Sequence, residues 1–555
     1  MRKALSAMAL FATCAVQAQV LYVNNNDNTY QAIDTKETRE ITFDESAQTI
    51  RIMQNNGVAS MFSTNGIESI ALATTKQTGL TYTLTPTLAF DANDSNSYNE
   101  VIETIVTDEL DEEYDDFVEN YSVNRVFTIN FGETGVKISP TLPTDITATI
   151  NGSHITIKSQ RSKVAYKVTG TCSNGSLKIY SEKKFQIMAQ NINLTNPTGP
   201  AINIQSGKTV YFTIMDGTNN TLCDGTTYNA PTVGSDGTEE DQKGTLFSEG
   251  QVIFNGKGTL NVTSHSGHAI CSDDYIRVRS GNINIAAAAK DGFRAKDKFI
   301  MGRTTDSAPV ITVNATSNGI ECTEGALTIE AGKLDIVSGG EAIKVVYDEP
   351  EADPTIISDA YIKGGYIKIV TTGEKSSALQ TTGNYTQSGG IIQAEVKGDG
   401  SKIINCDGAV SFVNGKITGF VNGSVSSDET SAGGIKSAGN VSITNGKIAI
   451  ECKGRGAKGI NCDSNVHVDG GDITLLATAE NYTDIADDKK TRAITAINMT
   501  VNGGKVVASA YDHAIYVDGT FTINSGTVNA FSSSSYATSV EAVQTGGWLV
   551  IKDAE

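Results

Sequence analysis

GHAICSDDYIRVRSGNINIAAAAKDGFRAKDKFIM, residues 267–301, decides how this chain is read. Two of its pieces, HAICS and DGFRAK, set a small or polar residue before an apolar one, Ile270 or Phe293, and a small residue two positions on. GNINI places a Gly before two alternating apolar residues. Side chains alternate across a strand, so each piece is a short strand with one face turned inward. The pieces recur. GTLNV, GNINI, GKLDI, GYIKI, GIIQA, GKITG, GKIAI, GDITL, GKVVA and GTVNA begin at Gly258, Gly281, Gly332, Gly365, Gly390, Gly415, Gly446, Gly471, Gly504 and Gly526. With Gly302 as a less regular member, successive spacings are 23, 21, 30, 33, 25, 25, 31, 25, 33 and 22 residues. Each holds three short strands and three turns. A strand-rich unit of this size, without helical periodicity, predicts an all-β solenoid, a right-handed single-stranded parallel β-helix.

A second column fixes the register. Its apolar members are Ile270, Phe293, Ile320, Ile343, Leu379, Ile404, Ile435, Ile460, Ile494, Ile515 and Val543. Two residues further on stand Ser272, Ala295, Cys322, Val345, Thr381, Cys406, Ser437, Cys462, Ala496, Val517 and Thr545. This is a stack of small interior residues, in which Cys322, Cys406 and Cys462 act as small hydrophobes. Cys406 and Cys462 are separated by the coil of Ser437. At about 4.8 Å per coil they stand near 10 Å apart, too far for a disulfide.

The ends and the composition bound the rest. MRKALSAMALFATCAVQAQ reads as a secretory signal, residues 1–18, cut after Ala18, with a lipid-modified Cys14 as the alternative. No other stretch is long and apolar enough to span a bilayer. The mature chain is expected outside the cell, secreted or held at the surface. Residues 19–75 read as a small β module, 76–145 as an acidic linker with entry strands, and 146–555 as the β-helix. The run DELDEEYDDFVENY, 108–121, reads as a solvated linker or short helix. A formal charge of −20, from 63 acidic against 43 basic residues, argues against a nucleic-acid partner. It fits simple solubility or the holding of divalent cations.

Charges cluster at one corner of the solenoid. Four residues after the column apolar come Asp274, Asp297 and Glu324 on successive coils; two before it come His268, Asp291, Asn318 and Glu341. Carboxylates one coil apart repel by roughly 3 kcal/mol per pair at an effective dielectric of 20. Interleaved Lys290, Arg294 and Lys296 offset that on one reading. Bound Ca²⁺, which takes several oxygen ligands at about 2.3–2.6 Å, does so on the other.

MDGTNNTLCDG (215–225), KGTLFSEGQVIFNGKGTLNV (243–262), GHAICSDDYIRVRSGNINI (267–285) and KDGFRAKDKFIM (290–301) carry a resemblance. Over 146 to about 345 the chain resembles the secreted bacterial carbohydrate-binding β-helix proteins related to pectate lyases. The resemblance implies a right-handed parallel β-helix, Ca²⁺ at stacked acidic turns, and binding of polysaccharide, acidic polysaccharide included. It nominates Asp216, Asp224, Asp273, Asp274, Asp291, Asp297, Glu321 and Glu324 as metal ligands. After residue 350 only the coil pattern persists.

Three functions fit these features. One is non-catalytic, Ca²⁺-dependent polysaccharide binding, with uronates bridged through the metal. Another is a polysaccharide lyase, in which a cation neutralises the uronate and Lys296 or Arg294 takes the C5 proton; the bland role of that pair is to neutralise the acids. The third is a surface adhesin or structural rod. Tyr347, Tyr361 and Tyr366, with Tyr385 nearby, are the candidate sugar-stacking rings, although a rim position is the plainer account of each.

Overall fold

A computed structural model describes residues 20–25, 30–34, 38–44, 49–55, 59–63, 67–73 and 107–551, the last range without 235–236, 303–307, 350–352, 485–487 and 533–541. The expected signal at 1–18, with Cys14, and residues 76–106 of the expected linker lie outside the described residues.

The chain is a parallel β-helix of three-strand coils. One coil consists of His268–Ser272, Ile276–Val278 and Asn282–Ala288. The next consists of Phe293–Ala295, Phe299–Met301 and Val310–Ala315. Each strand pairs in parallel with its counterpart one coil on, which gives the solenoid three faces. We name them first, second and third in chain order within the coil. The first face is a 16-stranded sheet; the second and third run together as a 29-stranded one. No α-helix occurs among the described residues.

The predicted apolar column is the register of the first face. Ile270, Phe293, Ile320, Ile343, Leu379, Ile404, Ile435, Ile460, Ile494, Ile515 and Val543 pair in that order, coil to coil. Cys322, Cys406 and Cys462 are buried free thiols, and Cys406 reaches Cys462 only through Ser437. One continuous core runs from Phe127 to Ile523. Neighbouring coils share their apolar faces, so each coil is stabilised mainly by the two beside it.

The Gly column turns the chain into the third face. Gly281 (φ +99°) and Gly332 (φ +104°) lie in the left-handed region, and a Cβ on Gly332 would come 2.5 Å from the Pro309 carbonyl oxygen. That contact corrects one member of the column. Asn282 pairs with Val310 and Val310 with Lys333, so Pro309 holds the turn position on this coil. Gly302 instead follows the second-face strand Phe299–Met301.

The ladder ends upstream in antiparallel strands. Ile146–Asn151 pairs antiparallel with Ser153–Ser159, and Arg125–Gly132 pairs antiparallel with Gly135–Ser139 while joining Val164–Cys172 in parallel. Before them, Val20–Asn25, Tyr30–Asp34 and Ile67–Ala73 form one three-stranded antiparallel sheet, and Thr38–Asp44, Thr49–Gln54 and Ala59–Ser63 another.

The acidic run is not a solvated linker. It forms two 3-10 turns, Tyr114–Asp116 and Val118–Asn120. Phe117 and Asp116 are buried, and Asp116 accepts a 2.6 Å bond from Arg277 on the second face. Glu119 takes Arg279 at 2.6 Å, and both guanidinium groups lie over the Phe117 ring. In Ile276–Val278 the apolar ends point inward, so Arg277 faces outward; residues 113–121 cover it and leave it 3% exposed.

Candidate functional site

The turns between the first and second faces build the acidic corner. From Ile270 to Ile276 and from Phe293 to Phe299 the chain takes six steps; from Ile320 to Leu327 it takes seven. Asp274 and Asp297 are therefore in register. Glu324 is displaced by one residue, and Gly325 stands over Asp297, where a Cβ would meet the Asp297 carbonyl oxygen at 1.5 Å. The expected stack of three acids is a stack of two with a third offset beside it. The Lys296 and Asp297 amides both donate to the Asp274 carbonyl, at 3.0 and 3.1 Å.

The acids of the first face and of the turns on either side of it fall into three groups. In the first, the carboxyls of Asp274 and Asp297 meet across one coil. Burial, and then the charge of Asp297, pushes the Asp274 pKa up to about 6. Burial and the nearby Glu324 raise Asp297 as well, against Lys296 and Lys298. Lys296 stands 3.4 Å from Glu324. In the second group, Asp241, Glu249 and Asp273 bring carboxylate oxygens within 4.8 Å of one another. Lys243 Nζ donates to Asp273 at 2.5 Å and to Asp241 at 2.8 Å. Burial raises Glu249, and the charges of Asp273 and Asp241 add to it. In the third, His268 Nδ1 lies 2.9 Å from Asp291, whose other oxygen accepts the Asn318 amide at 2.9 Å. Burial opposes ionisation of Asp291, but His268 holds its pKa down at about 2. Glu321 faces Asp291, and burial followed by that charge raises it; Lys344 bonds it at 2.9 Å and Arg294 lies at 3.8 Å.

Two nominated acids lie elsewhere. Asp216 is exposed and caps the Lys257 amide at 2.9 Å. Asp224, at the far end of Asn219–Asp224, is 2% exposed. Its carboxylate is filled by Tyr228 Oη at 2.6 Å, Ser264 Oγ at 2.8 Å and the His265 amide at 2.5 Å. The tyrosines separate too. Tyr366 and Tyr385 are buried, so neither offers a ring to a sugar. Tyr361 is half-buried and donates to Asp359 at 2.7 Å. Tyr347 is half-buried in the loop after Val345.

Farther along, the turn position of Asp274 and Asp297 holds Gly439, Ser464, Ile497 and Gly519, and the residue after it carries an asparagine ladder. Asn440 Oδ1 accepts from the Asn465 amide at 3.2 Å, Asn465 Oδ1 from Asn498 Nδ2 at 2.9 Å, and Asn498 Oδ1 from the Thr520 amide at 2.9 Å. A neutral asparagine ladder satisfies the turns there without any charge.

A family described as carbohydrate-binding domain-containing protein matches residues 151–475 and 424–536, most of the solenoid. This chain belongs to that family. A relative of that same description from Acetivibrio thermocellus is 24% identical over 124 residues, which is 22% of this chain and 42% of the relative. The chain thus spans less than half of that relative's length. A solved structure of a polysaccharide lyase-like protein from C. thermocellum, a gadolinium derivative, has a TM-score of 0.38 and 20% identity, covering 51% of this chain and 96% of that one.

Asp241 and Glu249 escaped sequence reasoning. They flank KGTLF, before the regular columns begin, so no spacing tied them to Asp273. The Arg277–Asp116 and Arg279–Glu119 pairs escaped it as well, since partners some 160 residues apart leave no periodic mark. The signal available was complementarity: two outward arginines, one on a short strand and one just past it, and a dense acidic run.

Proposed function

We propose that this chain binds polysaccharide at the cell exterior without cleaving it, and that the binding depends on Ca²⁺ and favours uronate-containing glycans. Membership of a carbohydrate-binding family supports the ligand class. The observation that carries the metal is the Asp274–Asp297 pair, half-buried carboxyls set against one another at a turn position that coils farther along fill with the uncharged Gly439, Ser464 and Gly519. Asp241, Glu249 and Asp273 also fit a Ca²⁺ ion. Oxygens within 4.8 Å of one another are what a cation with ligands at about 2.3–2.6 Å requires. Lys243 competes for that place and would have to swing aside. Bound there, Ca²⁺ would bridge protein carboxylates to those of a uronate. Asp274 and Asp297 would supply a second pair of ligands, with Glu324 offset beside them and Asp291 and Glu321 as a buried flank.

The residues nominated as a lyase base support the non-catalytic reading. Arg294 lies against Glu321 and Lys296 against Glu324, each on an acid it neutralises. The test is a glycan array on the mature chain, with Ca²⁺ and with chelator, and an elimination assay on polygalacturonate. Acidic glycans retained only with Ca²⁺, and no ultraviolet-absorbing unsaturated product, are the expected results. Such a product, lost in Lys296→Ala or Arg294→Ala, would make the chain a lyase. Retention of no glycan at all would leave a structural rod.

A further inference from the structure

The first face changes sign along its length. Upstream its leading corner carries His268, Asp291, Asn318 and Glu341. Downstream, four consecutive coils each contribute one cation. Lys402 pairs with Gly433, Gly433 with Lys458, and Lys458 with Arg492. Lys436 supplies the cation on the coil of Gly433, in the outward ladder between Asn405 and Asn461. At about 4.8 Å per coil the row extends roughly 14 Å along the solenoid axis.

The loops give this row relief. The connection entering the coil of Lys458 is only 453–457, whereas those entering the coils on either side are 422–432 and 478–491. Lys458 thus stands at the start of a coil set between two longer connections. Lys402 follows a short connection as well, 397–401, beside the first of them. Both lysines are half-buried.

Their hydrogen bonding is sparse. Lys402 Nζ donates to the Gly400 carbonyl at 2.8 Å, and Lys458 Nζ to Ser431 Oγ at 3.3 Å. Both acceptors are neutral, and neither ammonium forms an ion pair among the described residues. An ammonium has three donors, so each keeps donors to spend. Lys436, by contrast, pairs with Asp463, and Arg492 Nε donates to Asp512 at 3.3 Å. The Arg492 guanidinium stacks 3.7 Å from the centre of the half-buried Tyr516 ring, itself on the outward ladder. Half-buried, under-bonded ammonium groups beside further cations favour a counter-anion. Asn405 and Asn461 add amides suited to sugar hydroxyls, and Tyr516 adds a ring.

We propose that the downstream half of the first face is a metal-independent site for the acidic groups, carboxylate or sulfate, of a polysaccharide chain lying along the solenoid, with Lys402 and Lys458 as direct contacts. The proposal rests on the reading that this protein binds polysaccharide and adds to it a second mode of acid recognition, by ammonium and without Ca²⁺. Burial, and then neighbouring positive charge, pushes both lysines down to about 8. The charged groups facing Lys402 are Lys436, Asp428 and Lys375; those facing Lys458 are Arg492, Lys489, Lys436 and Lys402 itself. Ordinary lysines keep their charge to about pH 10.4.

The test uses the full chain with polygalacturonate, dextran sulfate and a neutral β-glucan, in chelator and again in Ca²⁺. In chelator at pH 6.5, Lys402→Gln/Lys458→Gln should bind at least one acidic polymer about tenfold more weakly than the native chain, with neutral-glucan binding unchanged. Which polymer responds distinguishes carboxylate from sulfate. Native binding should also weaken between pH 6.5 and 9.5, and Lys402→Arg/Lys458→Arg, which stays charged, should abolish that loss. Equal affinity of the native and Gln chains, or a flat pH response, would overturn the proposal. Acid binding seen only with Ca²⁺ would overturn it while leaving the Ca²⁺ reading intact. Binding in chelator that the Gln pair loses and Ca²⁺ does not improve would uphold it and remove the metal. Binding to neither acidic polymer in either buffer would end both.

Discussion

Replacing Asp274 by Asn should stabilise the corner at neutral pH in chelator, although it removes a residue read as functional. Two unit charges one coil apart, about 4.8 Å, repel by about 3 kcal/mol at an effective dielectric of 20. The rise of the Asp274 pKa from 3.8 to about 6 corresponds to about 3 kcal/mol by linkage. Burial is its larger cause and Asp297 the next, and solvent screening of a half-exposed pair brings the usable figure to about 1–2 kcal/mol. The sign follows from the direction of the shift. A carboxyl whose folded pKa is raised contributes its stability when protonated, so the corner is most stable below about pH 4 and loses stability as pH rises through about 6. Asn keeps the acceptor that Asp274 Oδ1 offers the Tyr275 amide at 2.9 Å, and carries no charge.

The local reporter is hydrogen exchange at Lys296 and Asp297, whose amides both bond the Asp274 carbonyl. At pH 7 in chelator, Asp274→Asn should slow their opening by about five- to thirtyfold, for about 1–2 kcal/mol. At pH 4 the two chains should exchange alike. Added Ca²⁺ should slow exchange in the native chain and do little in the variant, which lacks a ligand. Faster exchange in the variant at pH 7, or a native chain indifferent to both pH and Ca²⁺, would refute the reasoning.

Three further outcomes follow from the packing. Asp116→Ala removes the nearest acid from a nearly buried Arg277 and leaves Glu113 at 3.8 Å, at a cost of about 3 kcal/mol, and should open residues 108–121 to limited proteolysis; unchanged protection would show that the turns dock by other means. Gly325→Ala drives a methyl onto the Asp297 carbonyl oxygen and should lower stability by about 3 kcal/mol, so a melting curve like the native one would show that the turn shifts freely. A non-reduced digest should contain no Cys406–Cys462 linked peptide, because the coil of Ser437 separates them; such a peptide would mean a slipped register.

What was legible in the sequence was whatever each coil repeats. Closing a coil requires an inward apolar residue at the same place every time, so Ile270 through Val543 could be aligned by eye and the strand pairing follows that alignment. Substitutions of kind defeated the reading. Pro309 does on one coil what glycine does on the others, and Gly302 took its place in the count. Insertions of one residue defeated it too. The extra step between Ile320 and Leu327 moves Glu324 out of the stack, and column spacing measured from the first face does not reveal on which side of the turn it falls. Tyr385 was readable in principle: it pairs with Ala360 and Val410 in an inward position. Counting tyrosines as a surface cluster ignored that alternation. Contacts made across the outside of the solenoid, Asp116 on Arg277 above all, have no period and left nothing to count.

The asparagine ladder separates what the fold needs from what it carries. A corner turn must satisfy backbone amides on the next coil, and Asn498 does this for Thr520 with a neutral side chain. Asp291 does the same for Asn318, and Asn318 in turn does it for Glu341. The backbone therefore accepts either residue type at its turns and sets no requirement for charge. A carboxylate exchanged for an amide at such a place would keep the hydrogen bond and shed the repulsion. Asp274 and Asp297 retain the repulsion, and Asp241, Glu249 and Asp273 crowd three acids around one lysine. On the far half of the same face Lys402 and Lys458 bear an analogous cost with opposite sign, half-buried ammonium groups that form no ion pair among the described residues. Stability at these turns gives no reason to keep either charge. The proposed ligand, with negative groups along the solenoid axis, would account for both, reaching the acids through a cation and the lysines directly.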